Sequence, residues 1–187
     1  MIETNPTGTD RTPKAAMFTV RRGDRCEQWT YETLFDYGHR LLMKGKYDSG
    51  AAVFAELASA KDYEPKASVF LAWCHAMRDD YAGSSATLSR ALPREMYGDV
   101  ASRLHDLFVL WRVGLFLDVK KELTQLAAGH PELPSLCLLL GDLLKTCGAD
   151  RLSRRFYRKA IELDRPDGAI SRSADSLLKH SSHETSN

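Results

Sequence analysis

Between Tyr31 and Ala60 the apolar positions fall into two runs of helical period, separated by the turn Gly45-Lys46-Tyr47. The arrangement returns three times. Asp79-Asp80-Tyr81 lies 34 residues on, Gly114-Leu115-Phe116 35 further, and Gly148-Ala149-Asp150 another 34. This pattern predicts eight helices in four antiparallel pairs: about 31–44 with 48–60, 65–78 with 82–92, 99–113 with 116–128, and 134–147 with 150–163. Thr30 is the expected N-cap of the first helix, with Glu32 in the turn where a negative charge suits the helix dipole. Ile170, Ala174, Leu177 and Leu178 then form one apolar stripe, which predicts a capping helix over 168–181 and a frayed tail over 182–187. At the other end, residues 1–16 carry almost nothing apolar and are expected to be disordered. Residues 17–30 are expected to be a lead-in, with Met17-Phe18-Thr19-Val20 packing as an extended segment and Arg21 to Arg25 turning. The fold class expected is all-α, with no β-sheet of any size.

Small residues recur inside the pairs. Tyr37-Gly38, Leu71-Ala72 and Leu140-Gly141 occupy equivalent places midway along three first helices. The second helices place Gly50/Phe54/Leu57, Ser84/Leu88/Ala91, Val119/Leu123/Leu126 and Ser153/Tyr157/Ala160 at matching positions. Two helices approach closely only where one side chain is nearly absent and a bulky neighbour fills the gap. Pro131 sits where a helix must stop between the third and fourth units, and Pro65 and Pro166 lie near unit boundaries. In period and in these slots the chain resembles the tetratricopeptide repeat (TPR) family from Tyr31 to about Asp167. The resemblance implies a right-handed α-solenoid of four units, about 31–64, 65–98, 100–133 and 134–167, with a concave groove that takes a peptide of a partner protein.

Composition narrows the function without naming it. Lys plus Arg number 26 and Asp plus Glu 25, so no global field favours nucleic acid. The four cysteines show no C-x-x-C pair and no zinc spacing, which fits free thiols of a reducing compartment. No apolar run is long enough for a membrane span and no signal-peptide pattern opens the chain, so a cytoplasmic location is expected. No nucleophile elbow, phosphate loop, dinucleotide fingerprint or metal-binding histidine pair occurs, and neither catalysis nor a cofactor is expected.

The resemblance assigns the groove residue by residue. It implies Phe35, His39, Leu42 and Met43 from the first unit, Val69, Trp73, Ala76 and Met77 from the second, and Leu104, Phe108, Trp111 and Arg112 from the third. The fourth offers Leu138, Asp142, Lys145 and Thr146. Aromatics and methionines in such slots suggest an adaptable apolar binding surface. Leu104, Phe108 and Trp111 also share a helical stripe with Val100 and Leu107 and serve equally as core. The Lys and Asn clamp of co-chaperones that hold a C-terminal carboxylate is missing, since the matching slots hold Phe35, His39, Phe70, Ala101 and His105. Tyr31 to Leu92, with Gly45-Lys46-Tyr47, Val53-Phe54, Leu57 and Asp62-Tyr63, is similar to the class II chaperones of type III secretion. That likeness implies a chaperone for a hydrophobic secretion substrate, as the alternative to a scaffold or adaptor. A second candidate surface is basic: Arg151, Arg154, Arg155 and Arg158 share one helix face.

Overall fold

The computed structural model describes residues 2–4, 17–22, 25–60, 64–129, 132–166 and 168–183. The chain is predominantly helical. Helices α1 (Tyr31–Met43) and α2 (Tyr47–Ser59), α3 (Glu64–Met77) and α4 (Tyr81–Ala91), α6 (Val100–Arg112) and α7 (Phe116–Ala128), and α8 (Pro134–Thr146) and α9 (Asp150–Leu163) form four hairpins. Each agrees with its expected span to within one residue. The short helix α5 (Arg94–Tyr97) lies between the second and third pairs, and α10 (Ala169–His183) follows the fourth. Helix α10 continues through residues 182 and 183, where a frayed tail was expected; the rest of that tail lies outside the described residues.

One turn is used four times. The residue two past the end of each first helix has positive φ: Gly45 at 69°, Asp79 at 64°, Gly114 at 79° and Gly148 at 73°. In each turn the next amide reaches back five residues, as Lys46 N–H to Leu41 O at 2.9 Å, Asp80 to His75 at 3.0 Å, Leu115 to Leu110 at 3.0 Å, and Ala149 to Leu144 at 2.9 Å. This closes the helix end with its last carbonyls satisfied, an arrangement that favours glycine at the left-handed position. Asp79 is the exception. Its carboxylate accepts from Arg112 at 2.9 Å and from Tyr81 at 3.1 Å, and the Arg112 hydrogen bond holds its pKa below the ordinary value.

A small antiparallel sheet precedes the helices and corrects the expectation of none. Strands β1 (Ile2–Thr4), β2 (Met17–Arg22) and β3 (Arg25–Thr30) pair in that order, with Phe18 opposite Trp29 and Thr4 opposite Phe18. The disorder expected over 1–16 therefore fails at Ile2–Thr4; residues 5–16 lie outside the described ones, as do 23 and 24 within the expected turn. The physical reason is alternation. Phe18 and Val20 are buried while Met17 is exposed, so β2 has one face for the core, and it packs with β3 against α1. Trp29 completes the contact by meeting Tyr37 edge to face at 5.3 Å.

Packing of the pairs is not a simple succession. Helix α6 rests on α4 and α3, and α7 on α6, but α7 meets α8 only lightly. The fourth pair instead returns to the first two: α8 packs on α3, and α10, beyond covering α9, packs on α1. Polar ties surround that return. Lys66 meets Asp164 at 2.7 Å, Ser173 donates to Asp36 at 3.0 Å, and Arg165 pairs with Glu32. Every residue from Pro134 to Leu144 is buried, as a helix surrounded on all sides requires.

The glycines inside the pairs mark close approach. A Cβ on Gly38 would lie 2.8 Å from Val53 Cγ1, and one on Gly141 would lie 2.6 Å from Tyr157 Cδ1. Gly38→Leu and Gly141→Leu are each expected to lower unfolding stability by about 1–3 kcal/mol through overpacking. Denaturant titration followed by circular dichroism checks this, and unchanged midpoints in both variants would refute the pairing.

Candidate functional site

The groove expected from the sequence does not lie open. Phe35, His39, Leu42, Val69, Trp73, Met77, Leu104 and Phe108 are all buried, as is Ala76. They form the centre of the core: Phe35 meets Phe70 at 5.3 Å, His39 meets Phe70 at 5.8 Å, and Trp73 meets Phe108 at 4.9 Å. The reason is the return of the fourth unit: α8 packs on α3, α10 packs on α1, and Asp142 of α8 meets His39 of α1. Of the slots from the first three units only Met43 (48% exposed), Trp111 (half-buried) and Arg112 (exposed) still reach the surface. Arg112 is committed to Asp79. Of the fourth unit's slots, Leu138 and Asp142 are buried, Lys145 is half-buried and Thr146 is exposed.

A buried polar set ties the first hairpin to the fourth. His39 Nε2 lies 2.8 Å from Asp142 Oδ2, and Tyr157 donates to Asp142 Oδ1 at 3.0 Å. His39 is 5% exposed, Asp142 4% and Tyr157 0%. Burial first, and then the Asp142 charge, push the Tyr157 hydroxyl far above its ordinary pKa, which keeps it a donor. Both carboxylate oxygens are thereby engaged, as a buried charge requires. The set holds α1, α8 and α9 together.

Beside this tie the loose meeting of α7 and α8 leaves an apolar cleft. Trp111, Phe116, Leu117, Thr146 and Cys147 line a volume of about 400 Å³. Trp111 and Thr146 also line a smaller adjoining cavity of about 170 Å³, together with Leu42, Tyr47, Trp73 and Asp142. Three rings step inward from the rim: Phe116 meets Trp111 at 5.8 Å, and Trp111 meets Trp73 at 5.7 Å. The Nε1–H of Trp73 is buried with no acceptor among the described residues. Around the mouth Val113 is 58% exposed, Leu115 49%, Phe116 57% and Leu117 87%. Large side chains rarely gather on a surface in this way without a partner.

Sequence reasoning placed Trp111 and Thr146 here. The signal that could have found the rest is Val113-Gly114-Leu115-Phe116-Leu117, since the other three turns carry Lys46, Asp79, Asp80 and Asp150 at comparable places. An apolar run across a turn has no neighbouring helix to bury it. Elsewhere burial pushes the Cys74 thiol up to about 12 and the Cys137 thiol up to about 11, so both stay protonated.

The basic face is where its spacing placed it. Arg151, Arg155 and Arg158 are exposed and Arg154 is half-buried, while Ser153, Phe156, Tyr157 and Ala160 turn into the core. Among the described residues no helix is long and apolar enough to cross a membrane. No protein-family model, no curated protein and no solved structure matches the chain.

Proposed function

We propose that this is a non-catalytic helical-repeat protein of TPR type that binds an apolar segment of a partner polypeptide. The site is the cleft between the α6–α7 turn and the end of α8. One observation carries the reading: Trp111, Phe116 and Leu117 stand around an accessible volume of about 400 Å³ instead of packing on α8. That size lies within the range of recognition pockets, and aromatic walls with few polar groups are their usual lining. The repeat spacing and the four equivalent turns support the TPR assignment. Val113, Leu115 and Leu117 extend the apolar rim beyond what a small molecule would cover, which favours a peptide whose anchor side chains enter beside Trp111. An adaptor or scaffold role follows. Burial of Phe35, Val69 and Trp73 favours this role over that of a chaperone with an extended groove.

The test uses a fluorescein-labelled amphipathic peptide with leucine at i, i+3, i+4 and i+7, titrated by anisotropy. Binding to the native chain and at least a tenfold loss in Leu117→Asp, about 1.4 kcal/mol, with unchanged melting, is the expected result. Leu117 is 87% exposed, so its replacement leaves the core intact. Absent binding, or binding indifferent to both Leu117→Asp and Phe116→Ala, would overturn the cleft as the site.

A further inference from the structure

The outer face of α9 carries four arginines against two exposed carboxylates, Asp150 before the row and Glu162 beyond it. Arg151, Arg154, Arg155 and Arg158 recur at i, i+3, i+4 and i+7, and none has an ion pair or hydrogen bond among the described residues. Elsewhere Arg78 holds Asp48, Arg103 holds Glu122, Arg112 holds Asp79, Arg165 holds Glu32 and Arg172 contacts Asp36. The exposed row therefore differs from the arginines whose partners the fold supplies.

The middle of the row places like charges side by side. Arg151 with Arg155 and Arg154 with Arg158 are like charges at i, i+4, each a small repulsion. Arg151 also stands in the first turn of α9, where the helix dipole disfavours a cation. Overall charge does not impose this, since 26 basic residues face 25 acidic ones in the whole chain. Asp150 and Glu162 stand at i, i+4 from Arg154 and Arg158 at the two ends of the row, so the excess of positive charge lies at its middle.

We infer that this face binds an acidic polypeptide segment, with carboxylates received by Arg151, Arg154, Arg155 and Arg158. Seven rises of about 1.5 Å between Arg151 and Arg158 make the row about 10.5 Å long, which matches carboxylates spaced three and four apart on a second helix. Arginine's planar fork takes a carboxylate through two parallel hydrogen bonds. A bilayer fits less well, because the apolar side of α9 is spent in the core and leaves nothing to enter the lipid interface. Nucleic acid fits less well because a net charge of +1 supplies no long-range attraction. The inference is independent of the apolar cleft.

The experiment titrates a fluorescein-labelled alanine-based peptide carrying glutamate at i, i+3, i+4 and i+7, beside its glutamine counterpart. A short DNA duplex and phosphatidylserine vesicles form the other arms. The expected result is binding of the glutamate peptide alone, weakened at least about tenfold by Arg155→Glu/Arg158→Glu and strongly by added salt. Circular dichroism confirms the fold of that variant, and Arg151→Ala/Arg155→Ala repeats the measurement without reversing charge. Equal binding of the glutamine peptide, no binding at all, or binding unchanged in both variants would overturn the inference. So would an arginine-dependent preference for the duplex or the vesicles, which would reassign the row to that partner.

Discussion

Trp73→Ala is expected to lower unfolding stability by about 3–5 kcal/mol, the usual cost of deleting a large aromatic from a core. Trp73 is 3% exposed and packs edge to face on both Phe108 and Trp111. Its removal opens a void beside the existing cavity of about 170 Å³, whose walls cannot close because they belong to four separate hairpins. Since a domain holds only about 5–15 kcal/mol in all, the variant should melt many degrees earlier. Its cleft should also lose shape, because Trp111 leans on Trp73. Trp73→Phe keeps a ring in place and removes the N–H that lacks an acceptor, so it should cost well under half as much as the alanine change. Denaturant titration of the two variants decides the point. A Trp73→Ala protein as stable as the native one would mean that Trp73 faces an open groove after all.

Asp142→Ala is the second large effect, expected at about 3 kcal/mol or more. Breaking a buried ionic or hydrogen-bonded set by removing one member leaves the others desolvated and unpaired. Here His39 and Tyr157 would both lose their partner. The loss should be localised: the fourth pair is held to the first by this set, so backbone amides of α8 and α9 should exchange faster than those of α4 and α6. Asp142→Asn retains the shape and one acceptor and should fall between. A double-mutant cycle of His39→Leu with Asp142→Leu should be clearly non-additive, since the two side chains are in contact across 103 positions of sequence. Additive losses, or uniform exchange, would mean that the tie does not hold the pairs together.

The hairpins were legible in the sequence because their causes are local. Helical period, a left-handed turn residue and a small residue at the crossing each act within some thirty positions, so Gly45, Gly114, Gly148, Gly38 and Gly141 announced their roles. The N-terminal sheet was less visible because Phe18 and Val20 alternate over too few residues to outweigh the polar composition around them. The basic row of α9 was legible for the same local reason, as a spacing on one helix.

What the chain alone could not reveal is which apolar faces remain uncovered. Phe35, Val69 and Trp73 carry the composition of a binding groove, and that composition is equally the composition of a core. The tertiary structure decided between them by bringing α8 onto α3 and α10 onto α1, with contacts such as His39 with Asp142 and Lys66 with Asp164 that join positions about a hundred residues apart. The same movement left the α6–α7 turn without a neighbour and so exposed Phe116 and Leu117. Local pattern determines the helices and their pairing. Burial depends on where distant helices meet, and the hydrophobic effect that drives it carries no direction that a linear pattern could record.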